Sequence, residues 1–137
     1  MESAQALADL TEVSSQIESA VLADAKGNVL ASTFPGAKGE RVAEAALTLL
    51  ATSESVAGER ATLTQLVAET NEGAVFVVRE RGRVVVAVTA SEPTTGLIFY
   101  DLRTCLRLAF EPPAREEAAA EEPTSVETAT ERRSSDA

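Results

Sequence analysis

Two adjacent segments constrain the fold more than anything else in this chain. GAVFVVRE (73–80) and RVVVAVTA (83–90) are separated only by Arg81-Gly82, a connection that closes a hairpin and is too short for a parallel crossover. Both strands are apolar on both faces: Val75 and Val77 alternate with Phe76 and Val78, and Val84 and Val86 with Val85 and Ala87. An antiparallel sheet with one wet face would alternate apolar with polar residues. The centre of this sheet must therefore be covered twice.

The rest of the chain supplies the cover. Leu7 and Leu10, with Ala4 and Thr11, predict a first helix ending near Ser14. IESAVLA (17–23) and NVLAST (28–33) flank the turn residues Asp24-Ala25-Lys26-Gly27, which predicts a first hairpin. After Pro35-Gly36-Ala37-Lys38-Gly39, a helix is expected from Glu40 to about Ser53, and TQLVAET (64–70) reads as a short strand of mixed polarity. A last helix is expected over LIFYDLRTCLRLAF (97–110), with Ile98, Leu102, Cys105, Leu106 and Ala109 on one face. The order is α-β-β-α-β-β-β-α: an α+β sandwich with a mostly antiparallel sheet between helices.

Composition changes after Phe110. Residues 111–137 hold eight acids, three bases, one Val and no Leu, Ile, Met or aromatic residue. Such a segment cannot bury enough apolar surface to offset its conformational entropy, so the expected division is a folded domain at 1–110 and a disordered acidic tail at 111–137.

The chemistry available is narrow. A net charge of -10 disfavours nucleic acid and anionic membrane surfaces as partners. The absence of His removes the usual neutral-pH acid–base residue and the commonest metal ligand, and a single Cys excludes an intrachain disulfide or multi-cysteine metal site. No apolar run is long enough to span a membrane and the first residues lack a secretory signal pattern, so a cytoplasmic location is expected. Pro35–Glu40 is glycine-rich with a lysine, but it lacks the GxxxxGK[ST] spacing that rings phosphates with backbone amides. It reads as a strand-to-helix connection, and no nucleotide or other cofactor is expected. Cys105 sits on an apolar stripe without a base to activate it, which reads as core packing. Glu69 and Glu72 read as solvated carboxylates beside a turn. Arg79, Arg81 and Arg83 form either a solvated hairpin tip or a grip for an acidic partner. Arg103 and Arg107, one turn apart beside Tyr100, read as solvated; an arginine finger acting in trans is the sharper alternative. No catalytic, cofactor-binding or metal-binding residue is assigned.

The second helix is broader in its apolar face than one sheet can hide. At about 100° per residue, Ala45, Leu49, Val42, Ala46, Leu50 and Leu47 occupy an arc of about 200°, against roughly 100° for an ordinary surface helix. Its outer flank needs a cover, either a second copy of the chain, or the last helix or the Thr52–Leu63 loop of the same chain. A mixed-polarity strand such as TQLVAET suits a sheet edge that joins its symmetry mate. These features select Val42, Ala46, Leu47, Leu50, Leu66 and Val67 as dimer or partner interface residues.

The element order, LTEVSSQIESAVLADAKGNVLAST near the start, and the ending VVVAVTASEPTTGLIFYDLRTCLRLAF together resemble the roadblock/dynein light chain family. The carrying signals are Asp24-x-x-Gly27 followed by Val29-Leu30-Ala31, the valine-rich hairpin, and Gly96-Leu97 opening a helix. The resemblance covers about residues 4 to 110. It implies a five-stranded antiparallel sheet sandwiched by three helices (roadblock/profilin-like), and a homodimer with sheets joined edge to edge and second helices paired. It also implies a non-enzymatic role as a platform that binds and regulates a Ras-like small GTPase on a separate chain. A scaffold or adaptor light chain for a motor or polarity complex is the alternative, and a small-molecule sensor a further one.

Overall fold

A computed structural model of the protein describes residues 1–58 and 60–110; the acidic segment at 111–137 lies outside the described residues. Eight elements follow in the expected order: α1 (Ser3–Val13), β1 (Ile17–Asp24), β2 (Val29–Ser32), α2 (Lys38–Ala57), β3 (Gln65–Glu69), β4 (Gly73–Glu80), β5 (Arg83–Ala90) and α3 (Thr95–Phe110). The strands form one sheet in the order β2-β1-β5-β4-β3, with every neighbouring pair antiparallel.

The doubly apolar hairpin supplies two of the three inner strands. β5 lies at the centre between β1 and β4, in a register that pairs Val77 with Val86 and Val21 with Val86. Because successive side chains point to opposite faces, one hairpin feeds two cores. Ala74, Phe76, Val78, Val85 and Ala87 join Leu7, Leu10, Ile98, Leu102 and Leu106 beneath α1 and α3. Val77, Val84 and Val86 join Val21, Ala43, Ala46 and Leu50 beneath α2. Phe76 meets Phe99 edge to face, with centroids 5.1 Å apart and rings at 74°. This arrangement suits the aromatic quadrupole.

The turns have identifiable causes. Arg81 (φ 54°) and Gly82 (φ 79°) both take the left-handed region that a tight two-residue hairpin requires. In the first hairpin, Asp24 Oδ1 accepts from the Lys26 and Asn28 amides, both at 2.9 Å. Hydrogen bonds from Asn28 hold the Asp24 carboxyl below its ordinary value. Gly39 brings α2 close to β2: a Cβ there would lie 2.4 Å from Ser32 Oγ.

The one substantial difference from the sequence expectation is the length of α2, which starts two residues earlier than Glu40 and runs on through Ala57. Thr52, Ser53 and Ser55 are weak helix formers, yet a tertiary clasp holds this end. Glu54 accepts from the Leu63 amide at 2.7 Å and from the Arg79 guanidinium, while Arg79 also donates to the Leu63 carbonyl at 2.7 Å. Arg79 is therefore neither a solvated tip nor a grip for a partner; it fastens α2 to β4. The Leu63 amide, and then the Arg79 guanidinium, hold the Glu54 carboxyl below its ordinary value of 4.5, against the opposing effect of desolvation.

Two tests follow from the packing. Phe76→Ala should destabilise the fold by about 3–5 kcal/mol in urea denaturation, as expected for a fully buried aromatic. Since the folded Glu54 pKa is depressed, its ionised clasp contributes fully above pH 4.5 and is lost as pH falls through the folded value. Melting profiles of Glu54→Gln and the parent should accordingly converge below that pH and separate above it.

Candidate docking surface

Helix α2 lies over β2, β1 and β5. Gly39, Ala43, Ala46 and Leu50 face the sheet and are buried. Placed at about 100° per residue, Leu47 falls on one flank, where a Cβ at Gly27 would sit 3.4 Å from its Cδ1; this flank borders the β1–β2 turn and carries Glu40 and Glu44. The other flank turns toward β4 and β3. It carries Val42, half-buried, then exposed Ala45, Leu49 at 39% and Val56 at 84%.

The sheet continues this apolar surface. On the α2 side, Leu66, Val75 and Val88 are only half-buried against the α2 core. Register aligns Ser19, Val88, Val75 and Ala68 in one row across four strands. Among the described residues β3 pairs with β4 alone, so its outer edge over Gln65–Glu69 has no strand partner among them. The result is a helix flank, an open patch of sheet and a free strand edge side by side.

The six residues selected from sequence are divided by this geometry. Val42 and Leu66 belong to the open surface. Leu50, fully buried, and Ala46, at 4%, are core residues of the single chain and are not available for an interface. Leu47 is half-buried on the opposite flank, and Val67 packs on the other face of the sheet against the α1/α3 core. Periodicity gives the breadth of the apolar arc but not which sector faces the sheet, and Ala43 lies at the centre of the buried sector. Val56 lies past the expected helix end, and Val75 reads from sequence as a covered centre-strand residue.

The remaining candidates are engaged elsewhere. Arg103 donates to Gln65 Oε1 at 2.6 Å and Arg107 to Glu80 Oε2 at 3.5 Å. Arg83 donates to the Ala109 carbonyl at 3.2 Å, and the Arg81 and Arg83 guanidinium groups each lie 5.3 Å from the Phe110 ring centroid. Cys105 is buried, donates to the Ala6 carbonyl at 3.6 Å, and has its thiol pushed up to about 12 by burial and then by Asp9. Among the described residues, no group of three or more His, Cys, Asp or Glu is placed to hold a metal ion, and no helix is long and apolar enough to cross a membrane. An open polar cavity of about 450 Å³ lies between the β1–β2 turn and α2, lined by Lys26, Asn28, Glu40, Glu44 and Leu47 among others.

Comparison with known proteins adds the following. The family model of the Roadblock/LC7 domain matches residues 4–90. A Roadblock/LC7 domain from Streptomyces avermitilis is similar in structure, with TM-score 0.71 and 17% identity over 86% of this chain and 98% of that one. The gliding protein MglB from Thermus thermophilus gives TM-score 0.66 and 16% identity over 78% and 84% of the two chains. Profilin IA from Acanthamoeba castellanii gives TM-score 0.55 and 15% identity over 77% and 95%. No curated protein matches the sequence significantly.

The division of α2 into sectors is directly testable. Leu50→Glu places a charge in the core and should give insoluble or unfolded chain, whereas Leu49→Glu should stay soluble and keep the parent far-ultraviolet circular dichroism spectrum.

Proposed function

Because this chain belongs to the roadblock/LC7 domain family, we propose that it is a homodimeric, non-enzymatic interaction module that binds and regulates a Ras-like small GTPase carried on a separate chain in the cytoplasm. The module spans residues 1–110, followed by the acidic segment at 111–137. The observation that carries the reading is the open surface formed by the α2 flank (Val42, Ala45, Leu49, Val56), the half-covered Leu66, Val75 and Val88, and the free β3 edge. A second copy related by a two-fold axis satisfies all three parts together. Strand edges complete each other's hydrogen bonds, and α2 flanks cover each other's apolar side chains at roughly 25 cal/mol per Å² removed from water.

The dimer presents a composite helix and sheet surface to the switch segments of the GTPase. Such a face acts on a GTPase by binding one switch conformation more tightly than the other, which shifts the population toward the hydrolysis-competent state. The chemistry stays with groups of the GTPase. The alternative, an adaptor light chain, uses the same dimer and differs in one respect: its partner binding ignores the nucleotide state.

The expected result in sedimentation is a dimer for the parent and a monomer for Leu49→Glu, with the fold retained in both. A folded parent that sediments as a monomer would overturn the two-fold assembly. For the regulatory role, substoichiometric protein should accelerate GTP hydrolysis by a co-purified GTPase, and Leu49→Glu should abolish that effect. Equal affinity for the GDP and GTP forms, with no change in hydrolysis or exchange, favours the adaptor.

A further inference from the structure

The opposite face of the molecule carries a second feature, independent of the α2 surface. Between α1 and α3 lies a groove of about 160 Å³, whose lining includes Asp9, Val13, Tyr100, Asp101 and Thr104. Its floor is buried and apolar, formed by Ala6, Leu10 and Cys105, while its walls include Val13 at 75% and Tyr100 at 64% exposure. A monomer gains nothing from leaving a large aliphatic and an aromatic side chain this wet around an apolar floor.

The rim is acidic. Asp9 and Asp101 line the groove from facing helices, and Glu12 follows on the α1 surface. Helix α1 contains no basic residue. The two arginines of α3 are turned away, Arg103 to Gln65 and Arg107 to Glu80. Among the described residues, none of these three acids has an ion-pair partner; Asp9 accepts only from Gln5 Nε2, at 2.9 Å. The apolar slot is thus bordered by uncompensated negative charge.

We propose that the α1/α3 groove is a docking site for an amphipathic segment of a partner protein, apolar along one face and flanked by Lys or Arg. The helix-in-groove mode meets both requirements: apolar anchors displace water from the floor and cations meet the Asp9 and Asp101 carboxylates. Charge disfavours residues 111–137 as occupant, because that segment holds eight acids and three bases, the same net sign as the rim. It equally disfavours a second copy placed groove to groove, which would bring four aspartates together.

The probe is a fluorescein-labelled helical peptide built from Leu and Lys with one apolar face, titrated into the full chain by anisotropy. A scrambled peptide of identical composition, lacking that face, is the control. Binding of the amphipathic peptide should exceed that of the scrambled one. The Asp9→Lys/Asp101→Lys double variant should weaken it at least about tenfold, and Tyr100→Ala by about tenfold. Glu40→Lys/Glu44→Lys, which changes net charge equally on the α2 side of the sheet, should change it less than about twofold. Thr104→Trp, which fills the groove without altering its charge, should weaken it as well; this variant keeps the test open if the aspartate pair fails to fold. Equal binding of both peptides, equal loss in the two charge-reversal pairs, or undiminished binding to Thr104→Trp would each overturn the proposal. A groove variant that changed the sedimentation behaviour of the chain alone would assign the groove to a second copy and overturn it too.

Discussion

Everything in this structure depends on the central strands being apolar on both faces. A strand such as Val84–Val88 cannot lie at a solvated surface on either side, so the chain must supply two helical layers. It has three helices to do so, and they divide unequally. The paired α1 and α3 close one face, while α2 alone is left for the other. A single helix is narrower than a five-stranded sheet, since strands lie about 4.8 Å apart and a helix with its side chains measures about 10–12 Å across. Part of the sheet is therefore left open, and Leu66 on β3, Val75 on β4 and Val88 on β5 remain half-covered.

The open surface is therefore a consequence of layer arithmetic before it is a matter of recognition. This also explains why the two faces offer different kinds of site. The α2 face exposes a broad aliphatic area beside a free strand edge, which suits a symmetric, largely apolar partner. The α1/α3 face is closed over the sheet and exposes only the seam between two helices, narrow and bordered by carboxylates. A broad dry surface and a narrow acidic slot select different occupants.

Much of this was legible in the sequence. The Val75–Val78 and Val84–Ala87 pattern demanded a doubly covered sheet, and Arg81-Gly82 placed the turn. Cys105 read as core from its place on the apolar stripe of the last helix, and that is where it lies. The last four residues of α2 were hidden because their propensity is weak and the clasp that holds them joins Glu54 to a strand 25 positions later. Periodicity gave the width of the α2 apolar arc but no origin for the angle. Leu50 and Ala46 were therefore chosen for a surface that Leu49, Ala45 and Val56 occupy. Rotation about a helix axis is decided by tertiary packing, here by Gly39 against Ser32 and Leu47 against the β1–β2 turn.

The arginines of the β4–β5 hairpin look in two directions. Arg79 reaches to the α2 side and binds Glu54, while Arg81 and Arg83 close over Phe110, the last residue of α3. One turn thus rivets the ends of both helical layers at the same end of the sheet. Loosening this one hairpin end would therefore release the last turns of α2 and α3 together.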